Sequence, residues 1–357
     1  MEPLAVGLYL LEQINITRQN RDDFVYSSAE RVILIGIIPF IVCFGVISNI
    51  GVITMFLKLK SMRTIPNVYL LCLAVADMMF LLNAPLLYWI EYANSPIQGD
   101  SSSITISFCT FNTFIVDTAY AVSCLTIAMA TVWCYIAICH PFFFMTFSRN
   151  KAIGHCLILW FVVAAFNTSR IFYMRMFEYQ LIWNETDEFE NVTETIVTEI
   201  TSCKYCESCS IMTVYIIEQF ILLSVALILI ILYTRVIIHM RNLSVRRNEI
   251  ISCDVSHFTS AKKKLVRMVL ITVFTYILCI WPFRLLSLIS DISDVQIGHN
   301  SVIVGIARVF TYINSSINPL IYSVTHEKYR RAMLMVIRCE NEAARPLRRH
   351  STRQTAI

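Results

Sequence analysis

Ser107–His140 reads SFCTFNTFIVDTAYAVSCLTIAMATVWCYIAICH. A helix needs about 20 mostly apolar residues to cross a bilayer core, and this run has a turn or two to spare. It begins near Cys109, carries one carboxylate (Asp117), and closes with Trp133-Cys134-Tyr135 and then Ile138-Cys139-His140-Pro141. Working outward, comparable runs recur, and the predicted spans are 32–57, 67–90, 107–138, 152–174, 211–238, 266–290 and 301–324. Of the 357 residues, 57% are hydrophobic and 15% charged, too little polar surface to cover a soluble globule. The expected fold class is an all-α membrane protein: a seven-transmembrane helix bundle (32–324) between an N-terminal segment (1–31) and a tail (325–357). Residues 1–31 lack the apolar core of a signal peptide, so the first span is expected to act as its own insertion signal.

Charge fixes the expected orientation. The first, third and fifth connections and the tail hold 21 of the 29 Lys+Arg and 5 of the 25 acids. The N-terminal segment, the other connections and the outer edge of the fourth span hold 6 Lys+Arg and 17 acids. The basic side is expected to be cytoplasmic, which leaves the N-terminus extracellular and predicts a multi-pass plasma-membrane protein. The sequons at Asn15, Asn184 and Asn191 then fall outside, where glycosylation is expected.

Buried polar residues mark the interior. Asn49, the run Leu73-Ala74-Val75-Ala76-Asp77, Trp160, Pro282 and Asn318-Pro319-Leu320-Ile321-Tyr322 lie in separate spans in that order. With Cys109 they resemble the signature positions of rhodopsin-like (class A) G-protein-coupled receptors, over about residues 30–335. The resemblance implies a cell-surface receptor that passes ligand binding to heterotrimeric G proteins, and implies no enzyme. No nucleophile–base pair, metal-ligand cluster or phosphate loop is evident in the sequence, and no nucleic-acid partner is expected. It also implies a disulfide from Cys109 to one of Cys203, Cys206 and Cys209; four cysteines leave the connectivity open. It implies no cofactor other than an allosteric sodium ion, held by Asp77, Ser123, Asn314 and Asn318. A polar cluster that merely satisfies Asp77 is the alternative.

The departures concern switching. Trp133-Cys134 stands where the family has an acid and an Arg, and Cys109 lies 25 residues before Cys134, the family spacing. The register is therefore intact and the Arg itself is replaced. A thiol cannot make the forked, permanently charged contacts of a guanidinium. Tyr135, Tyr233, Pro282, Asn318, Pro319 and Tyr322 retain switch positions, Val225 replaces a fifth-span proline, and Trp281 falls one residue late. Two readings follow: a signalling receptor of low basal activity, or a non-coupling receptor acting as decoy, partner or trafficking factor.

Candidate ligand-binding residues are Asp117, Tyr120, Glu218, Phe283, Arg284, Arg308 and Tyr312, with Tyr88 nearby. Ionisable groups in apolar spans are functional or paired; internal pairing such as Asp117 with Arg308 is the alternative. Residues 175–210 carry eight acids against Arg175 and Lys204, a solvated loop or a steering field for a cationic ligand. Val116, not Asp117, occupies the amine-receptor position, which disfavours a small amine, and the mixed-charge pocket better suits a peptide with a basic side chain and a polar C-terminus. In general character the chain most resembles neuropeptide receptors of the FMRFamide and thyrotropin-releasing-hormone type.

On the basic side, Arg246-Arg247 and Lys262-Lys263-Lys264 suit anionic lipid headgroups or a G protein. Glu327 to Met333 resembles a short amphipathic eighth helix, and Cys339 after it is a candidate for palmitoylation. Thr355-Ala356-Ile357 fits a PDZ-domain ligand.

Overall fold

In the computed structural model, residues 12–17, 21, 24–144, 146–186, 193–205, 209–247, 267, 268, 270–286 and 302–340 are described. Seven long helices lie among them: α1 (Ser28–Lys58), α2 (Ile65–Asn94), α3 (Ile106–Cys139), α4 (Arg149–Ile171), α5 (Cys209–Arg247), α6 (Leu270–Leu286) and α7 (Val302–Thr325). A short α8 (Glu327–Ile337) follows. Among the described residues, α1 to α4 are long and apolar enough to cross a membrane, and the apolar parts of α5 (Ser224–His239) and α6 are shorter.

Local chemistry sets the boundaries. Ser27 and Glu30 form a reciprocal capping box at the start of α1. That start falls inside the predicted N-terminal segment, because the cap, Ser27, sits five residues upstream of the apolar run that begins at Val32. Thr105 caps α3 and Ser148 caps α4 through their hydroxyl oxygens. Pro85 interrupts α2: its ring removes an N–H and crowds the preceding turn, so the helix is regular over Ile65–Asn83 and again over Leu86–Asn94. Helix α4 ends three residues before the predicted 174, where the chain turns into a strand.

The packing is that of a bundle solvated by lipid. Phe40 (76% exposed), Ile47, Phe161 and Phe274 face outward, while Asn49, Asp77, Ser123 and Asn318 are buried inside. An apolar outside around a polar interior suits hydrocarbon and not water. Helix α3 is central and packs against α2, α4 and α5; α7 packs against α1, α2 and α8. A Cβ on Gly45 of α1 would lie 2.6 Å from Leu81 Cδ1 and closer still to Ser316, so this approach of α1 to α7 requires glycine.

A three-stranded sheet covers one end of the bundle, in the order β1 (Glu12–Ile16), β2 (Met174–Thr186), β3 (Thr193–Tyr205). Strands β2 and β3 form an antiparallel hairpin, and β1 adds in parallel with Glu12 opposite Tyr179. The predicted acidic loop is thus mostly a hairpin. Its inward positions (Leu181, Ile200 and, less fully, Tyr179 and Trp183) bury against Ile16 and Ile97, while Glu178 and Glu199 face out. That period-2 alternation is what a half-buried strand requires. The ends are called here the hairpin end and the α8 end.

Candidate functional site

At the hairpin end an ionic network joins four helices and the hairpin. Arg170, in the last turn of α4, donates from Nη1 to Asp117 Oδ2 of α3 at 3.0 Å and from Nη2 to Glu218 Oε2 of α5. Arg284 of α6 reaches Glu218 Oε1 at 3.5 Å and donates from Nε to the Tyr120 hydroxyl at 3.0 Å. Its guanidinium lies 4.4 Å from the Tyr120 ring centroid, a cation–π geometry. Tyr205 at the end of β3 donates to Asp117 Oδ2 at 2.9 Å. Burial, then the Asp117 charge, pushes the Tyr205 phenol well above its ordinary range, so it stays a donor.

Two carboxylates and two guanidiniums balance in this network. The suggested pairing of Asp117 with Arg308 is corrected: Arg170 takes Asp117, and Arg308 lies 4.3 Å from the Tyr88 ring centroid. The sequence reading missed Arg170 because it stands at the edge of its span and counts there as loop charge. Its signal was a lone cation a few residues inside the predicted boundary of 174. Tyr120 and Tyr312 are bridged by Phe80 of α2, with centroids at 5.9 and 5.8 Å, and Phe283 is half-buried on α6. Phe80 was also missed, since an aromatic in an apolar span carries no signal of its own.

Cys109 is bonded to Cys203, which ties β3 to α3. Cys206 lies outside the described residues, and Cys209 opens α5.

Mid-bundle, Asp77 is fully buried and accepts from Ser123 Oγ at 2.7 Å and Asn318 Nδ2 at 2.9 Å. Asn314 Oδ1 and Asn318 Oδ1 are buried without a hydrogen-bond partner. Asn49 Nδ2 donates to the carbonyls of Gly45 and Ser315, pinning α1 to α7 beside this cluster.

The family profile described as "7 transmembrane receptor (rhodopsin family)" matches residues 48–322. The chain belongs to this family. This rhodopsin-family receptor is therefore a multi-pass membrane protein and not an enzyme. It is 25% identical over 338 residues to the mouse thyrotropin-releasing hormone receptor (Mus musculus), covering 87% of this chain and 80% of that one. The human counterpart (Homo sapiens) is 26% identical over 338 residues, with 87% and 79% covered. Neuromedin-U receptor 2 of Mus musculus is 23% identical over 305 residues, with 82% and 72% covered.

At the receptor's α8 end, the altered triplet is divided between two clusters. Trp133 packs with Tyr69, Cys72, Ala152 and Cys156 of α2 and α4, whereas Cys134 (2% exposed) lies in the main core with Tyr233, Val236 and Met268. The Tyr135 hydroxyl is 3.4 Å from His140 Nε2. Tyr322 is buried with its ring 6.1 Å from that of Tyr329, whose hydroxyl donates to Asn67 Oδ1. Trp281 and Val225 are half-buried, Pro282 is exposed, and Pro319 lies inside α7. Of the candidate modification sites, Asn15 is exposed on β1, Asn184 lies in β2, and Cys339 is exposed just after α8. Asn191 and the Thr355-Ala356-Ile357 end lie outside the described residues.

Proposed function

We propose that this protein is a plasma-membrane receptor for a peptide and that it passes binding to heterotrimeric G proteins. The observation that carries the reading is its kinship, along most of its length, with receptors named for thyrotropin-releasing hormone and neuromedin U. The excess of Lys and Arg on the α8 side supports an extracellular hairpin end and a cytoplasmic tail. The charged and aromatic residues under the hairpin then face arriving ligand, and the acidic strands favour one that carries positive charge. The test is guanine-nucleotide exchange on each Gα class when a peptide library meets cells with the receptor at the surface. No exchange from any Gα would overturn the reading.

The buried thiol at Cys134 supports low basal activity, since it supplies neither the lock nor the G-protein contact of a guanidinium. Asp77, Ser123, Asn314 and Asn318 are proposed to hold a sodium ion. The donor set fits: a buried carboxylate, a hydroxyl and two amide oxygens lacking hydrogen-bond partners suit a hard monovalent cation. Such an ion would supply the positive charge that a carboxylate in mid-membrane requires. Anionic lipid at the basic face and a PDZ-domain protein at Thr355-Ala356-Ile357 complete the proposed partners.

A further inference from the structure

A cavity of about 50 Å³ opens at the hairpin end beside α1, α2 and α7. One water needs roughly 10–15 Å³ by the same measure. The polar part of its wall is Glu30, Glu91, Gln98 and Arg308, with the rings of Tyr26 and Tyr88 beside them. None of the ion pairs of the Arg170 network is formed by these residues.

Gln98 is the informative residue. It is only 5% exposed, and its Nε2 donates to Val25 O at 2.9 Å and to Glu30 Oε2 at 2.8 Å. Reversing the amide would set its oxygen against those two acceptors, so the hydrogen bonds fix its orientation. Gln98 Oε1 is thereby left buried with no hydrogen-bond partner. An orphaned acceptor in such a place is costly unless something donates to it. Glu91, also buried, accepts from Ser101 Oγ at 2.6 Å. That uses one of the roughly four lone-pair sites of a carboxylate. Two carboxylates therefore face one guanidinium, and Arg308 is drawn over the Tyr88 ring. The wall carries an excess negative charge, whereas Asp117, Glu218, Arg170 and Arg284 cancel.

We propose that this cavity binds a cationic group rich in N–H donors, the ammonium or guanidinium of the peptide ligand. The assignment rests on the peptide-receptor reading. The group would donate to Gln98 Oε1 and to the two carboxylates, with the tyrosine rings at its flank. A ligand carboxylate would meet two acids and is rejected. The deep network has no charge to spare for a cation, because both of its acids are engaged by Arg170.

The probe is benzylguanidine, with benzylurea as its neutral isostere, added to the purified full-length receptor. Thermal unfolding is followed by reaction of the buried thiols. Benzylguanidine should raise the midpoint with concentration and benzylurea should not. Glu91→Gln keeps an acceptor for Ser101 and should raise the benzylguanidine Kd roughly tenfold. Arg308→Gln removes the competing cation and should lower that Kd, a gain that misfolding cannot produce. Equal shifts from both compounds would overturn the proposal. So would a benzylguanidine shift unaltered in Glu91→Gln, or one lost in Asp117→Asn but kept in Glu91→Gln. No peptide or G protein enters this assay. Fragment binding without any peptide-driven exchange removes the receptor reading alone; exchange without fragment binding removes the cavity assignment alone.

Discussion

Arg170 and Asp117 are joined across the α3–α4 contact by a 3.0 Å hydrogen bond from Nη1 to Oδ2, and both are largely withdrawn from solvent. The same guanidinium holds Glu218, so one cation carries two acids from different helices.

Arg170→Leu should destabilise the receptor by about 3–5 kcal/mol, because it leaves Asp117 without its cation and Glu218 with only the 3.5 Å contact to Arg284. Arg170→Lys should fall between, since an ammonium cannot reproduce the fork. Adding Asp117→Leu to Arg170→Leu should recover most of the loss, because Glu218 and Arg284 then remain as a balanced pair. Thermal midpoints of the purified variants measure each case; an Arg170→Leu protein as stable as the parent would refute the network's role.

Cys109→Ser and Cys203→Ser should each cost about 2–4 kcal/mol and reduce surface expression, since the bond closes a loop spanning 94 residues. Cys339→Ser, at an exposed free thiol, should leave the unfolding midpoint unchanged. Equal midpoints for all three variants would exclude the bond.

Cys134→Arg places a guanidinium in an apolar cluster, with Trp133 beside it where an acid would hold it. The single variant should lose about 3 kcal/mol or more. Trp133→Asp with Cys134→Arg should regain part of that and raise basal exchange. Unfolding and basal nucleotide exchange, measured together, separate the two effects.

Sodium chloride should raise the unfolding midpoint above that in equimolar choline chloride, and Asp77→Asn should abolish the difference. The expected gain is about 2.7 kcal/mol at one hundred times the ion's Kd. A midpoint indifferent to the cation in the parent protein would dismiss the site.

The seven helices were legible because each needs a run of apolar residues set by bilayer thickness, whatever its neighbours do. The Asp77 cluster was legible through family positions, and contacts from Ser123 and Asn318 to Asp77 are present. Boundaries were less so: the Ser27–Glu30 box extends α1 upstream and Pro85 breaks α2. The β2–β3 hairpin was hidden because its many acids suggested a loop, while its inward alternation gains meaning only against Ile16 and Ile97.

Arg170 shows where the sequence stops. By itself the chain determined a membrane bundle, its helix count, and the replacement of a guanidinium by Cys134 in unchanged register. Those follow from apolar length and residue spacing, which are local. The tertiary structure alone decided that Arg170 and not Arg308 takes Asp117, that Trp133 and Cys134 part into different clusters, and that Gln98 Oε1 lacks a donor. Each depends on which groups from distant segments come within about 3 Å, and a hydrogen bond or ion pair falls away too steeply with distance for spacing along a chain to fix it.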